Sequence, residues 1–291
     1  MSAEYNPEFH TVKDLLSPTG EMYTIVLAAF EGWNDAGGAA SEALQYLTRL
    51  WDFTPHSGID DEDYFLYMHQ RPVMMSQEEG GAEILWPEIS VQLTELPEHN
   101  VRIAVVTGPE PTHKWKGFVR DFYELTEQLG AGAVILLGGL LAETPHTRPF
   151  PVDVTSESIL MRQLDDVHPN TYTGPTGITG VLAVMGTQYS IPATSLWVSI
   201  PHYVGQPPHP KATLALLKKL ETLVGIAIPL KPLEEEVDAW ERGAAELLED
   251  ERELAQYVAQ LESTYDMEND PQTSGDDIAA EFEQFLKRRE Q

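Results

Sequence analysis

Apolar positions in this chain recur in two alternating rhythms. Residues 23–30 (YTIVLAAF) form a short unbroken apolar run of the kind a buried strand needs, and a Gly- and Asp-containing turn follows. Ala40, Leu44, Leu47 and Trp51 then step by four, three and four, which places them on one helical face. The pair repeats. Residues 101–107 (VRIAVVT) read as a strand, and a helix over 116–129 aligns Phe118, Phe122, Leu125 and Leu129 before Gly130 stops it. Residues 133–137 (AVILL) make a strand ending at Gly138-Gly139, and a loop rich in Pro, Thr and His runs over 141–151. Residues 174–180 (GPTGITG) open a helix through Val181, Val184 and Met185. Residues 193–200 (ATSLWVSI) give another strand, and Leu214, Leu217, Leu220 and Val224 a helix closed by Gly225. This alternation predicts an α/β domain with a mostly parallel sheet covered on both faces. One stretch fits less regularly. Residues 60–71 are acidic and aromatic, and beyond Gly80-Gly81 residues 83–93 read as edge strands or a hairpin, since Pro87 argues against a central position.

The rhythm changes near residue 231. Leu233, Val237, Trp240, Ala244, Leu247, Leu254, Val258 and Leu261 keep heptad spacing, with Glu251 as the polar seam position. A long helix or helical hairpin is expected, packing its stripe on its own domain or on another subunit. Ile278, Ala279, Phe282, Phe285 and Leu286 suggest a last short helix. Residues 1–231 are therefore read as the α/β domain and 232–291 as an acidic helical subdomain.

Charge sharpens that division. The chain of 291 residues carries a formal net charge of -29, and its last 60 residues hold 19 acidic against 5 basic side chains. Such a surface repels a phosphate backbone, which excludes nucleic acid as the expected partner. The bland account of the acidic tail is a solvated, self-repelling helical face. The first twenty residues carry Glu4, Glu8, Lys13 and Asp14 where a signal peptide needs an apolar centre, and no 18-residue apolar run occurs. A cytoplasmic protein without a membrane span is expected. The absence of cysteine removes disulfides and thiolate chemistry.

In an open parallel sheet, ligands bind beyond the carboxyl ends of the strands, which directs attention to the segments after each strand. Gly32, Trp33, Asn34, Asp35 and Gly37 follow the first, Gly138 and Gly139 a middle one, and Gly174, Thr176, Gly177 and Gly180 open a helix. Glycines there permit close ligand approach, and helix-start amides can hold an anion. The same glycines also serve tight turns, and Asn34 and Asp35 also serve as helix caps. GPTGITG lacks the lysine and hydroxyl of a phosphate loop. His113, His146 and His202 follow three different strands, so Asp35, His146 and His202 are the candidate catalytic set if they converge. No metal site is expected, because no paired histidines at helical spacing and no dense ligand cluster occur. No GxSxG elbow is present, and no cofactor is implied. Tryptophans usually pack in cores, and Trp33 and Trp115 are the two embedded in post-strand loops.

Taken in order, FEGWNDAGGAAS, TGPEPTHKW, LLGGLLAETPHTRP, GPTGITG and SLWVSIPHYV resemble the PAC2 (proteasome assembly chaperone 2) family over about residues 22–261. The acidic helical tail resembles its actinobacterial branch. The resemblance implies a three-layer αβα domain of the phosphorylase/hydrolase-like kind with a C-terminal helical subdomain. It also implies a homo-oligomer, a trimer or small ring, and a role in assembly through a protein client rather than catalysis. Some family members dock on the proteasome through a C-terminal hydrophobic-tyrosine pair. This chain ends KRREQ and lacks it. The alternative is a small-molecule hydrolase or phosphorylase-type enzyme built from Asp35, His146 and His202, with the GPTGITG amides holding an anion.

Overall fold

The computed structural model describes residues 9–59, 62–77 and 80–269. Its centre is β1 (Tyr23–Glu31), an apolar strand buried along nearly its whole length. Alternation along β1 divides the core in two. Ile25, Leu27 and Ala29 join one apolar cluster, and Val26, Ala28 and Phe30 join another on the opposite face.

β1 pairs in parallel with β6 (Val101–Pro109) on one side and β7 (Ala131–Ala142) on the other. β7 pairs in parallel with β9 (Ala193–Pro201). These four strands are the interior of a seven-stranded sheet whose flanks are antiparallel. β8 (Val152–Thr155) lies antiparallel to β9 at one edge. At the other, β5 (Ser90–Leu96) lies antiparallel to β6 and is itself covered by β2 (Thr54–His56). The sheet is thus parallel at its centre and antiparallel at its margins.

Helices α2 (Ala39–Leu50) and α5 (Pro210–Val224) cover the first face, joined by Leu233 and Val237 of α6 (Lys231–Asp250). Helices α3 (Trp115–Gln128) and α4 (Ile178–Met185) cover the second, where Phe30, Phe118 and Phe122 meet edge to face. The three layers are those the resemblance implied. The short α1 (Val12–Leu16) adds Val12 to the first face.

Three elements differ from expectation. The segment over 83–93 divides, because β4 (Ala82–Leu85) pairs with β3 (Val73–Ser76) in a separate hairpin while β5 enters the main sheet as its second strand. Pro87 lies between them, where no ladder amide is needed. β7 does not end at Gly138-Gly139 but runs through both to Ala142. The glycines are needed inside the strand: a Cβ on Gly138 would lie 2.5 Å from the Trp197 ring, and one on Gly139 2.9 Å from the Ala36 carbonyl oxygen. The loop after β7 contains the edge strand β8, whose apolar alternation is too short to stand out.

The heptad segment forms the expected helical hairpin, α6 followed by α7 (Arg252–Glu268), with Glu251 between them. Val258 and Leu261 of α7 are buried. The last amphipathic segment, over 278–286, lies outside the described residues.

Candidate functional site

The strand-end residues form two neighbouring constellations. In the first, β1 leads through Gly32 and Trp33 to Asn34 and Asp35. The Asn34 carbonyl accepts from the Gly139 amide at 2.8 Å, so this turn lies against β7. The Asp35 carboxylate turns toward α2: it accepts from the Ala40 amide at 2.7 Å, the Ser41 amide at 3.3 Å and the Ser41 hydroxyl. Asp35 is therefore the anion at the start of α2, set back from the helix by a single 3-10 turn. Burial raises its pKa, an effect the three hydrogen bonds oppose.

The start of α4 is occupied in the same way. Glu110, just past β6, accepts from the Ile178 amide at 2.7 Å and from Asn34 Nδ2 at 2.6 Å. The GPTGITG loop thus does hold an anion at its helix N-terminus, and that anion is a carboxylate of the chain itself. Asn34 is fully buried, and no donor among the described residues reaches its Oδ1. Gly177 packs directly on that oxygen, while Gly180 packs on Thr176 and Gly174 on Tyr172. At the strand ends the buried Asn34 lies against Gly177, whereas Trp33 is 65% exposed.

The second constellation is an aromatic row. Gly37, in the left-handed region at φ 65°, brings the backbone against His209, whose Cβ would lie 2.9 Å from a Cβ at position 37. The His209 ring lies 4.3 Å from Trp240 of α6, and Trp240 in turn meets Phe150 and His146 edge to face. His146 receives no carboxylate: its Nδ1 is 2.9 Å from the Tyr203 hydroxyl, which its backbone amide also reaches at 2.8 Å. Tyr203 continues the row to His202 and to Tyr257 of α7. Burial lowers the pKa of His146, with Lys211 adding to the effect, and burial lowers that of His209 to about 4.

The structure thus brings His146 and His202 to one tyrosine, while Asp35 caps a helix on the far side of the His209 and Trp240 pair. His113 lies elsewhere, its amide bonded to the Tyr64 carbonyl. Among the described residues no group of three His, Asp or Glu could hold a metal ion. The sequence reading missed His209, Tyr203 and Glu110 as members of the region. Glu110 was legible in principle, since a carboxylate following a strand is a ready cap for a helix across the sheet.

A groove of about 600 Å³ lies beside the row, between α5, α6 and the loop before β8. Arg148, Lys211, Lys218 and Lys219 line it. Each faces a carboxylate: Arg148 meets Asp266 at 2.7 Å and Glu262 at 3.4 Å, Lys211 meets Glu241 at 2.6 Å, and Lys218 and Lys219 meet Glu234 and Asp166 at 3.2 Å. Lys211 also donates to the His146 carbonyl. The acidic hairpin is therefore docked on its own chain, by Leu233, Val237 and Trp240 and by the pairs to Glu234, Glu241, Glu262 and Asp266, rather than uniformly solvated. Every pair keeps at least one side chain partly in water, where an ion pair adds little, so the apolar contacts dominate the docking.

Comparison with known proteins places this arrangement. The model of the PAC2 family matches residues 29–248. A PAC2 family protein from Streptomyces avermitilis is 40% identical, with 81% of this chain and 99% of that one covered at a TM-score of 0.75. The Mycobacterium tuberculosis proteasome-assembly chaperone homologue Rv2125 is 39% identical, with 80% and 99% covered at 0.74. Pyrococcus furiosus PbaA, an archaeal homologue of proteasome-assembly chaperone, shares the fold at 18% identity, with 84% and 96% covered and a TM-score of 0.54. A search of the curated proteins returns no match. With the family model covering most of its length and two solved relatives near 40% identity, the chain belongs to the PAC2 family.

Proposed function

We propose that this chain is an assembly-chaperone-like protein that binds a protein client, a proteasome component, through the surface at the carboxyl ends of β1 and β7. One observation carries the reading: the two carboxylates there are already engaged within the chain, while apolar side chains beside them stand exposed. Asp35 and Glu110 cap α2 and α4. Trp33, Leu140 and Leu141, neighbouring in the same turn and strand end, are exposed. A surface of exposed aromatic and aliphatic side chains beside carboxylates already bonded within the chain suits a protein contact, whose energy comes from a few such anchors. The relative named as a proteasome-assembly chaperone homologue, 39% identical over 80% of this chain, supports the same direction. Among the described residues no helix is long and apolar enough to cross a membrane, which agrees with a cytoplasmic site of action.

The experiment is to follow assembly of the host's own proteasome core-particle subunits by native gel, with and without this protein. The expected result is a transient complex and faster appearance of the assembled particle. Trp33→Ala combined with Leu141→Ser is expected to weaken the complex at least tenfold with an unchanged melting midpoint, because neither side chain is in the core. An assembly course indifferent to the wild-type protein, with no complex formed, would count against the proposal.

A further inference from the structure

The β3–β4 ribbon is held firmly at its root and open along its length. Tyr64 and Phe65 are buried at the root, where the Tyr64 carbonyl accepts from the Thr112 and His113 amides just past β6 and the Leu66 amide donates to Thr112 at 2.6 Å. Ile89 is buried where the chain returns to β5. Because β6 lies parallel to β1 and next to it, the ribbon leaves from the same end of the sheet as the turn that carries Trp33. All eight residues of the two strands are exposed. Val73 stands opposite Leu85 and Met74 opposite Ile84, so both faces of the ribbon carry apolar side chains. At the base the Trp86 and Tyr67 rings lie 5.2 Å apart, with Trp86 56% exposed.

We infer that this ribbon is a strand acceptor, which takes an extended segment of a protein partner, rich in Lys or Arg alternating with apolar residues, as a third strand along a free edge. The main chain gives the mode. Among the described residues β3 and β4 pair with each other and with no other strand, so each presents an outer edge of unpaired N–H and C=O groups. Such edges are ordinarily blunted by lysine, proline or a bulge. Here β3 (VMMS) has no charge and β4 (AEIL) has Glu83 alone, while Pro72 and Pro87 stand just outside the strands and confine the open edge to them. A two-stranded ribbon is marginal in water, and a third strand completes it through main-chain bonds. The side chains give the apolar half of the partner, since an added strand with apolar residues at alternate positions widens one apolar face. Charge gives the other half. Between Leu66 and Trp86 the chain has Glu78, Glu79 and Glu83 against Arg71 alone, within a net charge of -29. A second copy of this chain, or an acidic segment, is repelled, and a basic one is drawn in. The inference rests on the client reading above for its choice of a protein partner, and it gives that partner a chemistry and a mode of contact.

The test titrates the full-length protein with a labelled synthetic hexapeptide of alternating valine and lysine, by fluorescence anisotropy at about 0.15 M salt, where exposed charges are screened beyond about 8 Å. Two control peptides separate the contributions. One has glutamate in place of lysine; the other keeps every side chain but is N-methylated throughout, which removes its edge donors. The lysine peptide is expected to bind at least tenfold tighter than either control and to slow amide exchange over residues 73–76 or 82–85. Glu83→Lys is expected to weaken that binding at least fivefold with far-UV circular dichroism retained. Equal binding of the N-methylated peptide would reveal mere adsorption on an acidic surface and overturn the inference. Protection confined to other segments, or no affinity for the lysine peptide, would overturn it as well. Core-particle subunits that bind while the lysine peptide does not leave the client reading standing without the strand acceptor. A peptide that binds as described while the subunits do not supports the strand acceptor and counts against a proteasome component as the client.

Discussion

Trp240→Ala is expected to lower the unfolding free energy by about 3 kcal/mol, toward the lower end of what removal of a large aromatic costs, because Trp240 is only partly buried. Its ring is the contact through which α6 meets His209, Phe150 and His146, so the loss falls on the docking of the helical hairpin as well as on the core. The same ring keeps His209 dry. A histidine has an unfolded pKa near 6.5 and here a folded value of about 4. The unfolded state therefore binds more protons between those limits. Stability present above pH 6.5 is lost as pH falls toward 4, by about 3 kcal/mol for a shift of this size. Urea melts of the wild type at pH 7, 6 and 5 are expected to show this decline. His209→Phe, which cannot take a proton, is expected to flatten it. The raised pKa of Asp35 acts in the opposite sense, and comparison with the variant isolates the histidine. An identical pH slope in wild type and His209→Phe would show that burial does not hold the histidine neutral.

Gly177→Ala is expected to be the most disruptive single-methyl addition near the strand ends. Its φ of -91° is open to any residue, so the penalty is purely one of space. The added Cβ would fall on Asn34 Oδ1, an atom fixed by the bond from Nδ2 to Glu110 and with no room behind it. Overpacking of this kind costs about 1–3 kcal/mol. Asn34→Ala in the same chain should recover part of the loss, whereas Asn34→Ala alone should destabilise, since it deprives Glu110 of one of its two donors. The double-mutant cycle by thermal melting is expected to give a favourable coupling of at least about 1 kcal/mol. Strict additivity would mean that the two residues do not share the packing described.

Much of the fold was legible because two periodicities governed it. The alternation in YTIVLAAF divides the core between two helix layers, and the four-three spacing of Ala40, Leu44 and Leu47 buries one face of α2. The elements that escaped were those with too few residues to establish a period: β8, with four, and the division of 83–93 into a ribbon strand and a sheet strand. The site was legible as a place but not as an arrangement. Gly, Asn and Asp after a strand signal a turn that does something, yet the sequence does not say whether Asp35 faces a ligand or the amides of α2. Nor does it reveal that Glu110, 68 residues before Ile178, completes α4. Those pairings depend on the sheet order, in which β1 lies between β6 and β7. Trp240 fitted the heptad as a core position, and its partners His209 and His146 became visible only when α6 was placed across α5.

The strand-end surface around Trp33, Leu140 and Leu141 is expected to meet a protein. Amide hydrogen exchange on the full chain, alone and with the host's core-particle subunits at saturating concentration, tests it most directly. Slowed exchange is expected over residues 32–36 and 139–142, with α6 and α7 unchanged. A complex that protects only the helical hairpin, or leaves the strand-end segments exchanging as in the free protein, would contradict it.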